Sequence, residues 1–331
     1  MSWKKLQRGR VVTWIGVVAE LVPDGLRLSL AEPFVQDLCA KVDAALGAKA
    51  TAVRDLRQLV GKAEWAAGIV PHMKAILTPL WAAAADAPAG LVGRARIVHS
   101  LKWLQAFLRR RRGTIERVYR VGEKEMPTKV VLEFDASPWG YGGVLYKNGH
   151  PAAFYAEPIS KEDVVRFSIE VGQAKHQALV ETIAILIGLR LWAAELASGK
   201  WSVYVRSDSS AALDATFKLR SPDPRINAVV REISLDLAEG RYDIQFVEHL
   251  PGRCNVVADC LSRYFQPGGS QDTPALLRQA ARGKPAVRDA RWWATALDPT
   301  DADDGATVPR APSSQAASRL LTGGAGPASG C

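Results

Sequence analysis

The stretch Val130 to Gly143, VVLEFDASPWGYGG, constrains the chain more than any other. It reads as an apolar strand that stops at one carboxylate, Asp135. A turn rich in Pro138, Gly140, Gly142 and Gly143 then returns the chain into a second strand ending at Lys147. A carboxylate at a strand end beside tight backbone can hold a divalent cation. Beside a turn it is more often an ordinary residue bonding its own backbone. What decides between the two is whether further carboxylates arrive at the same point.

The pattern around this stretch is α/β. Strands are expected at 130–135, 142–147 and 151–157, with Asn148-Gly149 as a hairpin turn. After an irregular segment, 158–170, come a long helix over 173–197, a strand at 201–207, helices at 209–217 and 223–239, a strand at 242–248 and a closing helix at 255–263. The last two strands are joined through helices, so they should run parallel. Upstream, 11–18 reads as one strand and 26–30 as a second, followed by helices over 33–46, 51–69, 73–81 and 94–112. The chain thus divides into a hairpin at 1–32, a helical domain at 33–112, a linker at 113–128, an α/β domain at 129–265 and a tail at 266–331. The tail is rich in Pro, Ala, Gly, Ser and Asp and is expected to be disordered, with Trp292-Trp293 its one feature suited to packing.

Charge bears on the partner. Lys and Arg number 43 against 34 Asp and Glu, a formal net charge of +9, which favours a polyanion such as nucleic acid. The candidate phosphate contacts are Arg54, Arg57, Lys62 and Lys74 on the helices, and Arg109 and Arg110 in the run Arg109 to Arg112. A helix dipole favours cations at that end in any case. Cys39, Cys254, Cys260 and Cys331 form no C-x-x-C pair, so neither a disulfide framework nor a zinc site is read. MSWKKLQRGR is followed by no signal-peptide core, and the longest apolar run, Ile183 to Leu189, is too short to span a bilayer. The expectation is an intracellular protein, cytoplasmic or nuclear, with no membrane partner.

Three more acids can converge on Asp135. Asp208 ends the fourth strand of the α/β stretch in VYVRSDSS, where Ser209 or Ser210 can cap the next helix. Glu181 interrupts the apolar helix ALVETIAILIGLRLW, where a carboxylate is costly unless paired or metal-bound. Its ordinary reading is an exposed glutamate. Asp259 lies in the first turn of the closing helix, a place that stabilises an acid without any function. Taken together, hard oxygen ligands from separate elements suit two Mg²⁺ ions.

In order, FDASPWGYGGVLY, ALVETIAIL, VRSDSSAAL and HLPGRCNVVADCLSR resemble the four acidic motifs of the ribonuclease H domain of retroelement polyproteins. ADCLSR resembles the ADxLSR signature of gypsy-like and DIRS-like elements. The resemblance implies a ribonuclease H-like five-stranded mixed sheet flanked by helices. It implies Asp135, Glu181, Asp208 and Asp259 as catalytic, metal-binding acids for two Mg²⁺ ions, with Mn²⁺ as a substitute, and the glycine turn as close-packed backbone beside the scissile phosphate. His249 matches the mobile-loop histidine of retroviral and cellular enzymes, with a role in proton transfer or product release. The segment before Glu181 is longer than the family pattern and contains Glu170, which is the reserve for the second acid.

Upstream, VVTWIGVVAEL resembles the primer-grip hairpin of a reverse transcriptase palm, and LRQLVGKAEWAAGIVPHMKAILTPLW the thumb helices that follow it. This implies a small, mostly helical thumb-like domain ahead of the sheet. No Tyr-x-Asp-Asp occurs, and Asp303-Asp304 falls in the tail, so polymerase activity is not expected. The resemblance therefore implies a Mg²⁺-dependent endoribonuclease that cuts the RNA strand of RNA/DNA hybrids, as the carboxyl-terminal fragment of a retrotransposon polymerase whose upstream part is a further partner. The alternative is a catalytically inactive, nucleic-acid-binding remnant.

Overall fold

The protein is described by a computed structural model covering residues 8–23, 25–87, 90–120, 128–197 and 201–299. The remainder of the tail, 300–331, lies outside the described residues. The chain opens with β1 (Val11–Trp14), β2 (Val17–Val22) and β3 (Gly25–Leu30). There follow α1 (Glu32–Gly47), β4 (Ala50–Ala52), α2 (Val53–Ile69), α3 (Lys74–Ala85), β5 (Leu91–Gly93), α4 (Arg94–Leu108) and β6 (Glu116–Arg120). The strand expected over 11–18 is in fact a hairpin. It breaks at Ile15 and Gly16, with φ of 47° and 81°, because a two-residue left-handed turn joins antiparallel strands without splaying them. Residues 116–120, expected in a linker, pair with β3 and complete a sheet of order β1-β2-β3-β6. The last helix of this part stops at Leu108, and Arg110 turns the chain with φ 54°.

The second part comprises β7 (Thr128–Ala136), β8 (Gly140–Lys147), β9 (His150–Pro158), α5 (Lys161–Phe167), α6 (Gln177–Leu191) and α7 (Ala193–Leu196). It continues with β10 (Trp201–Ser207), α8 (Ser210–Lys218), α9 (Pro224–Ala238), β11 (Ile244–His249), α10 (Val256–Ser262) and β12 (Ala281–Arg282). The sheet order is β11-β10-β7-β8-β9-β12, with β7, β8 and β9 antiparallel in turn and β10 and β11 parallel to β7. This is the expected mixed sheet flanked by helices, enlarged by a sixth strand, β12, parallel to β9. Alternation sorts the side chains. Val130, Leu132, Phe134, Val203 and Val205 face a core shared with Ile183, Val229 and Ile233, while Val144 and Phe154 on the other face meet Leu261 and Leu277.

Two further expectations are corrected. The segment 158–170 contains α5, because Ser160 accepts from Asp163 N at 3.1 Å as an N-cap. The tail is ordered over 266–299. Leu277 and Trp293 are buried, Arg288 is paired with Asp163 and Glu157, and the Thr295 hydroxyl and amide both donate to Glu232. The same segment reaches α4, where His99 Nε2–H donates to Thr295 O at 2.7 Å and Trp103 Nε1–H to Leu297 O at 3.2 Å. Widely spaced anchors hold it, which is why composition alone suggested disorder. Among the described residues no helix is long and apolar enough to cross a membrane.

The glycines after Asp135 make room for protein, not for phosphate. A Cβ on Gly142 would lie 2.5 Å from Ala258 O and 2.7 Å from Ser262 N, so its bareness sets how deeply α10 sits on β8. Gly143 makes the same allowance for the rings of Phe134 and Tyr155. Gly142→Ala is therefore expected to cost about 1–3 kcal/mol through overpacking, read from the urea midpoint. A loss below about 0.5 kcal/mol would show that α10 is free to shift.

Candidate active site

Strand register brings the first two acids together. Asp135 lies near the end of β7 opposite Gly142 of β8, and on its other side β10 runs parallel with Arg206 opposite Glu133. Asp208 follows the last residue of β10, and its charge reaches Asp135. Just after it the chain turns into α8, whose N-cap Ser209 accepts from Ala212 N at 3.3 Å. His249 ends β11 opposite Ser207 and donates from Nε2 to the carbonyl oxygen of Asp208 at 3.1 Å.

Glu181 reaches the pair from α6. It is 6% exposed, and Gln177 Nε2 donates both to its Oε1 at 2.8 Å and to Ala136 O. Burial, opposed by the Gln177 hydrogen bond and reinforced by the charges of Asp135 and Asp208, pushes the Glu181 carboxyl up to about 8. Asp135, 5% exposed, is pushed up to about 7 by burial, against the Ser262 hydrogen bond, with the charges of Asp208 and Asp259 adding to the rise. Glu181 Oε2 and Asp208 Oδ1 are buried without a hydrogen-bond donor among the described residues.

Asp259 stands apart from this. Its Oδ1 accepts from Arg263 Nε at 2.6 Å, one turn on in α10, and both side chains are substantially exposed. Among the described residues no three His, Cys, Asp or Glu side chains are grouped so that together they could hold a metal ion as they stand. The donor chemistry nevertheless fits a hard divalent cation: carboxylates on β7, α6, α10 and the β10–α8 turn, two of them with buried, unsatisfied oxygens. Glu170, the reserve for the second acid, is exposed and paired with Lys175, whose hydrogen bond and charge lower its carboxyl. Glu181 is thus the acid set beside Asp135 and Asp208.

Three supporting residues were not singled out from sequence. Ser262 Oγ donates to Asp135 Oδ2 at 2.6 Å, and Asn255 Nδ2 donates to Phe134 O at 3.1 Å and Asp135 Oδ1 at 3.4 Å. With Gln177 they fix the carboxylates of Asp135 and Glu181. The available signal was a polar residue on the inward side of a short closing helix: Ser262 is fully buried and Asn255 nearly so.

The candidate phosphate contacts are placed as follows. Arg54 is exposed and Lys74 half-buried. Arg57 Nη2 donates to Ala84 O at 3.3 Å, and Lys62 pairs with Asp37 while lying over the Phe34 ring. Arg109 pairs with Asp43 at 2.7 Å, and Arg110 with Glu32 at 3.8 Å. Arg112, from the same run, is buried and bonds Glu239 at 2.6 Å, so its role is to tie the turn after α4 to the C-terminus of α9.

No protein-family model matches the sequence, and comparison with curated proteins gives no match. Solved structures similar to it include three of the foamy viral protease-reverse transcriptase. The form titled dRH, in complex with double-stranded DNA, is 18% identical at a TM-score of 0.28, covering 73% of this chain and 38% of that one. The complex with RNA/DNA hybrid is 16% identical at 0.30, covering 73% and 30%. A further complex with double-stranded DNA is 15% identical at 0.28, covering 73% and 45%. The chain thus spans less than half the length of each of these viral proteins.

Proposed function

We propose that this chain is a Mg²⁺-dependent ribonuclease acting on the RNA strand of RNA/DNA hybrids, derived from a retroelement polymerase. The observation that carries this reading is the gathering of Asp135, Glu181 and Asp208 from separate elements, with Glu181 Oε2 and Asp208 Oδ1 buried and without a donor among the described residues. Such an arrangement is costly unless a cation compensates it. Asp135, Glu181, Asp208 and Asp259 would hold the ions. Bound Mg²⁺, or Mn²⁺ in its place, supplies charge stabilisation at the attacking and leaving oxygens.

The chain's own groups do the rest. Gln177 orients Glu181, Ser262 and Asn255 orient Asp135, and His249 at the rim, bonded to the carbonyl oxygen of Asp208, offers an imidazole for proton transfer or product release. Choice of the RNA strand would come from its 2′-hydroxyls and groove shape, and affinity should fall with salt. The remaining, upstream part of the element's polymerase is the proposed protein partner.

The test is cleavage of a labelled RNA/DNA hybrid with Mg²⁺ by the chain and by Asp208→Asn. The variant is expected to lose activity about a hundredfold or more, at or beyond the upper end of what loss of a supporting group costs at a metal site. Equal cleavage by both proteins would sink the enzymatic reading. The hold of Arg263 on Asp259 favours a second reading, a binding module without turnover. Retention of the hybrid without cleavage, in Mg²⁺ and in Mn²⁺, selects it.

A further inference from the structure

We propose that Arg263 is the resident counter-ion of the carboxylate cluster, a positioning residue that keeps Asp259 paired until a divalent cation competes for it. The inference rests on the carboxylates being a cation site, as proposed above. Asp259 and Arg263 face each other across one turn of α10, with Nε donating to Oδ1 at 2.6 Å. The guanidinium also lies within electrostatic reach of Asp135 and Asp208, so a single cation serves three acids on three elements. Its placement is anchored from below, since Ser262, the preceding residue, bonds Asp135 Oδ2, and Gly142 lets α10 sit hard against β8.

The pair itself is free to open. Arg263 and Asp259 side chains are 54% and 40% exposed, so parting them leaves no buried charge behind. An exposed ion pair of this kind is worth less than about a factor of five in an equilibrium, which a divalent ion flanked by three carboxylates outweighs. A cation that takes Asp259 must therefore displace Arg263, and the energy of that displacement is subtracted from its affinity. By the same geometry the freed guanidinium is left at the edge of the site, where a substrate phosphate can use it.

The experiment is calorimetric titration of the whole chain with Mg²⁺, without nucleic acid, at about pH 9 so that the acids are ionised in every variant. Arg263→Gln is expected to bind Mg²⁺ about twofold more tightly than the unaltered chain, and Arg263→Lys, which keeps the charge, to stay closer to it. A purely packing role for Arg263 gives no tighter binding. In EDTA the Gln variant should also melt at a lower temperature than the unaltered chain, and Mg²⁺ should raise its melting temperature by more. An unaltered chain that binds Mg²⁺ while Arg263→Gln binds it no more tightly overturns the counter-ion role alone. An unaltered chain that takes up no Mg²⁺ removes the cation site and this inference with it.

Discussion

Arg288→Ala is expected to destabilise the fold by about 3–5 kcal/mol, the cost of leaving a buried charge without its partner. The Arg288 side chain is 1% exposed and Asp163 is 0% exposed; Nε donates to both Asp163 oxygens, at 3.0 and 2.8 Å, while Nη1 bonds Glu157. Tyr141 also donates to Asp163, at 3.1 Å, and its ring lies 5.3 Å from the guanidinium. Truncating the arginine removes most of this compensation and leaves an acid in the interior. Equilibrium urea unfolding reads the loss. Combining Arg288→Met with Asp163→Asn removes both charges and should recover a large part of the stability, which a merely steric role for Arg288 would not allow. A loss under about 1 kcal/mol for Arg288→Ala would mean that the tail contributes little to the domain it crosses.

That ion pair also marks what the sequence leaves hidden. Its partners are 125 and 131 residues apart along the chain, and nothing periodic announces such a pair. The strands ending at Asp135 and Asp208 were legible because alternation and a closing turn are local signals, and their meeting follows from parallel pairing alone. The sequence could not choose between Glu181 and Glu170. Glu170 lies in the segment ahead of α6 and Glu181 within its first turns, and the packing of α6 on β7 separates the buried acid from the one bonded to Lys175 in solvent. The strand 116–120 was missed for a related reason: ERVYR is polar enough to pass for a linker, and it becomes a strand only because β3 offers an open edge. For the basic residues the sequence supplied their presence but not their partners, and Arg112 shows how far that matters.

The carboxylates carry the last prediction, which runs against the usual behaviour of acids. Asp135 and Glu181 sit at about 7 and about 8 in the fold, above their ordinary values of 3.8 and 4.5. The native state therefore keeps protons that the unfolded chain has already released. Where the unfolded state binds fewer protons, stability falls as pH rises, so in EDTA the fold should be most secure near pH 4 and should weaken steadily up to about pH 8. Linkage sets a ceiling on the order of 4–5 kcal/mol for each carboxyl, and relaxation and water entry make the realised total smaller, a few kcal/mol for the pair. The measurement is the urea midpoint in EDTA at about pH 5 and about pH 8.5, for the unaltered chain and for Asp135→Asn with Glu181→Gln. The double variant has nothing to ionise at these two positions and should lose much less stability across the interval. Mg²⁺ at the higher pH should restore the unaltered chain and leave the double variant nearly unmoved, since a ligand that binds only the native state stabilises it in proportion to its occupancy. If both proteins weakened equally with pH, the two carboxyls would not be held above their ordinary values by burial. The proposed chemistry would then lose the electrostatic strain on which it depends.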